Sequence, residues 1–120
     1  MATATKVTRP VGHRNEVTLT GRLSGLPEER EMPSGDVVVS FRVVVARPEQ
    51  KLPAGVRRPT VDTIDCAAWL AAARRTVATW DEGDLVEVTG SLRRRFFQAG
   101  GAAQSRVEVE VGKAKRVARA

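Results

Sequence analysis

The stretch Ser91-Leu-Arg-Arg-Arg-Phe-Phe97 sets aromatic rings beside guanidinium groups. In an extended chain alternate residues share a face, so Arg93, Arg95 and Phe97 fall together and Leu92, Arg94 and Phe96 fall opposite. A ring flanked by cations suits an unpaired nucleobase. The ring stacks on the base, worth about 1–3 kcal/mol per base, and the guanidiniums meet the phosphates. The structural alternative is a phenylalanine that plugs the end of a barrel; alternation demands this of one of the two, and Phe97 is assigned to the surface. A second stretch, Ile64-Asp-Cys-Ala-Ala-Trp69, is followed by Arg74-Arg75. Trp69 stands at a strand-to-helix junction, where it either caps the core or offers its face to a base, and the pattern leaves both open.

Nothing else in the chain is arranged for catalysis. His13 is the one histidine and lies in a polar segment, where an exposed residue fits better than a general base. Asp62 and Asp65 sit three apart in a strand and face opposite ways, which argues against a carboxylate pair. No glycine-rich phosphate loop, paired-histidine metal motif or nucleophile elbow occurs. Cys66 is the single cysteine, so there is no internal disulfide and no cysteine-based metal site; its apolar neighbours predict a buried thiol. The expectation is a non-enzyme with no cofactor, no metal and no small-molecule substrate.

The chain has 120 residues, the size of one domain, and a formal net charge of +6. The charge is carried mostly by arginine and spread along the sequence, which predicts attraction to a polyanion. Arginine can hold a phosphate with two hydrogen bonds and can stack on a base. A membrane partner is not expected: no segment opposes an apolar helical face to a basic one, and no apolar run approaches the roughly 20 residues of a span. The first residues lack the hydrophobic region of a signal peptide, which predicts a cytoplasmic location.

These side chains need elements to position them. Residues 1–14 are polar and basic and read as a flexible arm. Val17, Leu19, Gly21 and Leu23 alternate with Thr18, Thr20 and Arg22, the period of a half-buried strand. Pro27 and Pro33-Ser-Gly35 predict a turn-rich connection. Val37–Ala46, almost continuously β-branched, reads as a strand covered on much of both faces, and 47–59 as a long loop. A third strand over 60–67 precedes a helical period through Trp69, Ala73, Val77 and Trp80, with Trp80 on the apolar side and Gly83 as the left-handed cap. Strands at 85–95 and 105–117 flank a flexible hairpin loop, 98–104. In the last strand Glu108 and Glu110 alternate with valines, which predicts one wet face. Three strands, one helix and two strands is the order of the OB-fold, an all-β, five-stranded Greek-key barrel with its helix between strands 3 and 4.

Asn15-Glu-Val-Thr-Leu-Thr-Gly-Arg-Leu23, Pro27-Glu-Glu-Arg30, Pro33-Ser-Gly35, Val39-Ser-Phe-Arg-Val-Val-Val45, Ile64-Asp-Cys-Ala-Ala-Trp69 and the segment from Gly83 to Arg95 occur in an order and spacing that resembles the bacterial single-stranded-DNA-binding protein family. The resemblance covers about residues 15–117. It implies an OB-fold, self-association as a homotetramer or dimer of dimers, and sequence-tolerant wrapping of single-stranded DNA in replication, recombination and repair. By position, Trp69 and Phe97 match family aromatics that stack on bases, and Arg93 and Arg95 match the basic flank of the second. Arg22, Arg47, Arg74, Arg75, Arg93 and Arg95 are the expected phosphate ligands, and binding is expected to weaken steeply with salt. Three positions depart from the family pattern. Thr63 replaces an aromatic, Glu49 stands where some members have tryptophan, and Asp65 sets a negative charge where phosphate should run. The family's glycine- and proline-rich linker and acidic tip have no counterpart in the end of the chain, 118–120, which implies either an accessory paralogue or a trimmed domain. The rival expectation is a degenerate OB-fold that serves as an assembly adaptor for a full-length paralogue.

Overall fold

A computed structural model describes residues 10–120. Five strands and one short helix follow in the order β1 (Val17–Glu31), β2 (Val37–Ala46), β3 (Val61–Ala68), α1 (Ala71–Val77), β4 (Leu85–Ala99) and β5 (Ala102–Ala118). The strands close into a barrel in the order β1-β2-β3-β5-β4, with β1 also paired to β4. Every junction is antiparallel except β3 with β5, which run parallel through Cys66 and Val109. This is the expected five-stranded barrel with its helix between β3 and β4. Among the described residues no helix is long and apolar enough to cross a membrane.

The inward positions of each strand make the core: Leu23, Phe41, Val43, Cys66, Val86, Val88, Val109 and Val111 are buried together with Val77 and Trp80. Phe41 meets Trp80 edge to face, with ring centroids 5.5 Å apart. Burial pushes the Cys66 thiol up to about 12, helped by the negative charges of Asp65 and Glu108. The thiol therefore stays protonated and is no nucleophile at neutral pH.

Several boundaries differ from those the pattern predicts. β1 does not stop at Leu23. It passes through an irregularity between Ser24 and Glu28 and pairs again with β2 as far as Glu31. Gly25 there has φ +74°, and Pro27 falls inside the irregularity, where a missing N–H costs no ladder hydrogen bond. The helix is shorter than its apolar period. Trp69 lies before it and Trp80 after it, so the spacing of the two tryptophans continued the period beyond the hydrogen-bonded turns. Gly83 is left-handed, at φ +86°, but caps no helix; its N–H donates to the Leu23 carbonyl and fixes the turn into β4.

The segment 98–104 forms the expected hairpin, but with a far shorter loop. β4 and β5 stay paired from Leu85–Ala118 to Ala99–Ala102, and the chain reverses at Gly100-Gly101, both with positive φ, as a two-residue hairpin requires. The outer half of this hairpin extends past the barrel wall. Phe96 and Phe97 both sit on that half and are 78% and 40% exposed, so neither plugs the barrel.

The basic arm expected over 1–14 falls mostly on residues 1–9, outside the described residues. From Pro10 the chain is exposed, and Asn15 then fastens the start of β1 to β4. Its side-chain amide donates to the Leu92 carbonyl and accepts from the Leu92 N–H, each at 2.8 Å.

Candidate nucleic-acid interface

The barrel closure puts the outward residues of four strands on one surface. Across it, Ser40 pairs with Ala67, Ala67 with Glu110 and Glu110 with Ser91; one step along, Arg42 pairs with Asp65 and Glu108 with Arg93; further out, Arg106 pairs with Arg95 and Gln104 with Phe97. Directly opposed residues of paired strands share a face, so the alternation in β4 and in β5 converges here. The irregular middle of β1 borders the same surface. Between them runs a groove of about 590 Å³, which Gly25, Arg30, Arg42, Asp65, Arg106 and Glu108 help to line.

Of the expected site residues, Trp69, Arg93, Arg95 and Phe97 are brought together. Trp69 is half-buried at the end of β3, and its indole N–H is buried with no hydrogen-bond partner among the described residues. The Arg95 guanidinium lies over the Trp69 ring, 5.6 Å from its centroid. One edge of Trp69 is packed, and one face carries a cation. Phe97 stands farther out on the hairpin, with the Arg106 guanidinium 5.6 Å above its ring.

The other expected cations are elsewhere. Arg22 donates to the Gly83 carbonyl in the turn before β4, at 3.3 Å. Arg74 donates to the Val37 carbonyl at 2.9 Å and ties α1 to the barrel. Arg75 is exposed on α1, which packs against β5, β3 and β2, and has no hydrogen bond or ion pair among the described residues. Arg47, at the start of the 47–59 loop, is held by Asp62 through two hydrogen bonds of 2.9 and 2.7 Å. That pairing lowers the Asp62 carboxyl below its ordinary value and raises Arg47.

The carboxylates are what the sequence did not make plain. Arg93 Nε donates to Glu110 Oε2 at 2.8 Å; Arg95 Nε donates to Glu108 Oε1 at 2.8 Å, and its Nη2 to Glu110 Oε2 at 3.3 Å. Arg42 Nε donates to Asp65 Oδ1 at 3.1 Å. Glu108, read as part of a wet face, is only 8% exposed. A carboxylate that far from water needs a cation, and Arg95 supplies it. Along the groove Arg30, Arg42 and Arg106 face Glu28, Glu29, Asp65 and Glu108, so the positive charge of the whole chain does not accumulate there. Arg42 and Arg106 could have been found from the alternation of β2 and β5; the Arg–Glu pairs could not, because they depend on the β4–β5 register.

The surface offers rings, guanidiniums and carboxylates, with the thiol of Cys66 sealed beneath it. Among the described residues no group of histidine, cysteine, aspartate and glutamate is gathered as a metal site. The arrangement can stack planar groups and exchange one anion for another at an arginine.

Comparison with known proteins agrees with this geometry. Residues 14–117 match the model of the single-strand binding protein family. Single-stranded DNA-binding protein 3 of Listeria innocua is 32% identical over 84 residues, which are 70% of this chain and 51% of that protein. Single-stranded DNA-binding protein A of Bacillus subtilis (strain 168) is 33% identical over 84 residues, 70% of this chain and 47% of that protein. The chain thus spans about half the length of these two relatives. Among solved structures, a Plasmodium falciparum SSB in complex with ssDNA superimposes with a TM-score of 0.70 at 18% identity, covering 89% of this chain and 96% of that one. That likeness supports the fold. The matched span takes in all five strands, the helix and both rings of the outer face, and the chain belongs to the single-strand binding protein family.

Proposed function

We propose that this chain binds single-stranded DNA without sequence preference and performs no chemistry, protecting or organising the unpaired strand in cytoplasmic replication, recombination and repair. The observation that carries the reading is the placement of Trp69 and Phe97 with Arg93, Arg95 and Arg106 on one outer face of an OB barrel. Such a face stacks any base, because every base has a π-face, and needs no base-edge readout. The relatives' names point the same way. Self-association, as a homotetramer or dimer of dimers, belongs to the proposal.

The test is a fluorescence titration of a labelled oligothymidine, with a duplex of the same length beside it. Saturable binding of the single strand at micromolar concentration or below, with the duplex much weaker, is the expected result. No binding to either would overturn it. The neutralised groove favours a second reading, an assembly adaptor that partners a full-length paralogue. Negligible oligothymidine binding together with mixed oligomers in native mass spectrometry would select that one.

A further inference from the structure

Arg95, over Trp69, and its neighbour Arg93 are already occupied by anions of the chain itself, whereas Arg106, over Phe97, has no ion pair among the described residues. One end of Arg95 is fixed by Glu108 and the other by Glu110, and Glu110 also takes Arg93. The side chain of Glu108 is 10% exposed, whereas those of Arg93 and Arg95 are 54% and 38% exposed. A phosphate arriving from solvent can therefore reach the guanidiniums, but it must displace a carboxylate to use them fully. The exchange replaces one charge-assisted hydrogen bond by another of similar strength. It also leaves Glu108 buried without its cation, a strongly unfavourable state. Phosphate alone gains little from Arg93 and Arg95.

A base changes the balance. The Trp69 ring lies beside the same Arg95, and Phe97 lies two residues farther along β4. Stacking on either ring contributes roughly 5- to 160-fold in affinity per base, independent of any carboxylate. We propose that Glu108 and Glu110 are specificity-determining residues: they hold Arg93 and Arg95 in check so that a polyanion is retained only when it also brings unpaired bases. Simple polyanions and base-free strands are rejected by the same carboxylates that orient Arg95 on Trp69. The inference rests on the single-strand reading above and adds the class of ligand the groove excludes.

The experiment compares an oligothymidine with an abasic strand of equal length, made of tetrahydrofuran units on the same phosphate backbone, on the full chain. Wild type should bind the abasic strand at least about 30-fold more weakly, the loss of two stacked bases. Glu108→Gln and Glu110→Gln should narrow that gap by about tenfold or more, mainly by strengthening abasic binding, and should steepen the salt dependence of both ligands. The thermal melt of each variant is recorded first. If Glu108→Gln does not fold, Glu110→Gln, at a position 34% exposed, decides alone. Unchanged ratios in a folded variant, with oligothymidine still bound, would overturn the specificity proposal and leave the single-strand reading standing. Wild type that binds neither strand would remove both.

Discussion

Phe97 and Glu108 show how differently two side chains on one surface can be read. Phe97 follows from alternation: it is two residues from Arg95 and four from Arg93, so any extended chain groups them, and the structure leaves the ring 40% exposed with a guanidinium above it. Removing that ring should cost binding and little else. Phe97→Ala is expected to raise the Kd for an oligothymidine by roughly 5- to 160-fold, about 1–3 kcal/mol, while the melting temperature stays nearly unchanged. A melt that collapses in parallel would make Phe97 a packing residue. Glu108 has the same alternating signature as any solvated carboxylate, and its burial arises only because Arg95 folds across it from the neighbouring strand. The pairing is a property of register, which single-strand periodicity does not carry.

At the scale of elements, the barrel's order was legible because each strand has an apolar inward face, and the β4–β5 hairpin was legible as a turn but not in its reach, because the polar and small residues beside its glycines look like any loop. Gly100 and Gly101 serve the turn; Gly90 serves the wall. A Cβ on Gly90 would overlap the Glu110 carbonyl, next to the register shift between Thr89 and Gly90, whereas one on Gly112 would make only ordinary contact, 3.5 Å from the Thr89 carbonyl. Gly90→Ala should therefore destabilise by about 1–3 kcal/mol, the usual cost of forcing extra atoms into packed space, with Gly112→Ala much less affected in urea unfolding. Equal losses would show that strand entropy, not the carbonyl, sets the need for glycine.

Asp84 joins three elements. It is buried at the start of β4, accepts from the N–H groups of Asp81 and Ala120, and is paired with Arg116 on β5. The two backbone hydrogen bonds, with Arg116 behind them, hold its carboxyl below the ordinary value. A depressed carboxyl adds stability above the unfolded value, about pH 4, and loses it as pH falls through the lower folded value. Asp84→Asn should lower the melting temperature at neutral pH and flatten its fall on acidification. Asp62→Asn, which removes an exposed partner, should do little. An Asp84→Asn melt that matches wild type above pH 5 would contradict the role of this carboxylate.

The whole molecule carries +6, yet the groove beside the rings sets Arg30, Arg42 and Arg106 against Glu28, Glu29, Asp65 and Glu108. Composition points to a polyanion and is silent on how one would be held, because it counts charges without their neighbours. Five of the six arginines expected to meet phosphate also bond to protein oxygens: Arg22 and Arg74 to carbonyls, and Arg47, Arg93 and Arg95 to carboxylates. A phosphate that takes an arginine from a carboxylate frees an anion, which then gathers its own counterion, so net counterion release is small. On the proposed reading, affinity rests chiefly on stacking. The most direct measurement is the slope of log K against log salt for an oligothymidine between about 50 and 200 mM salt. Six independent phosphate contacts would give about −4 on a single strand, and the paired arrangement predicts about −1 to −2. Measurable binding with that shallow slope is the expected result, and a slope of −4 or steeper, or no binding at the lower salt, would contradict it.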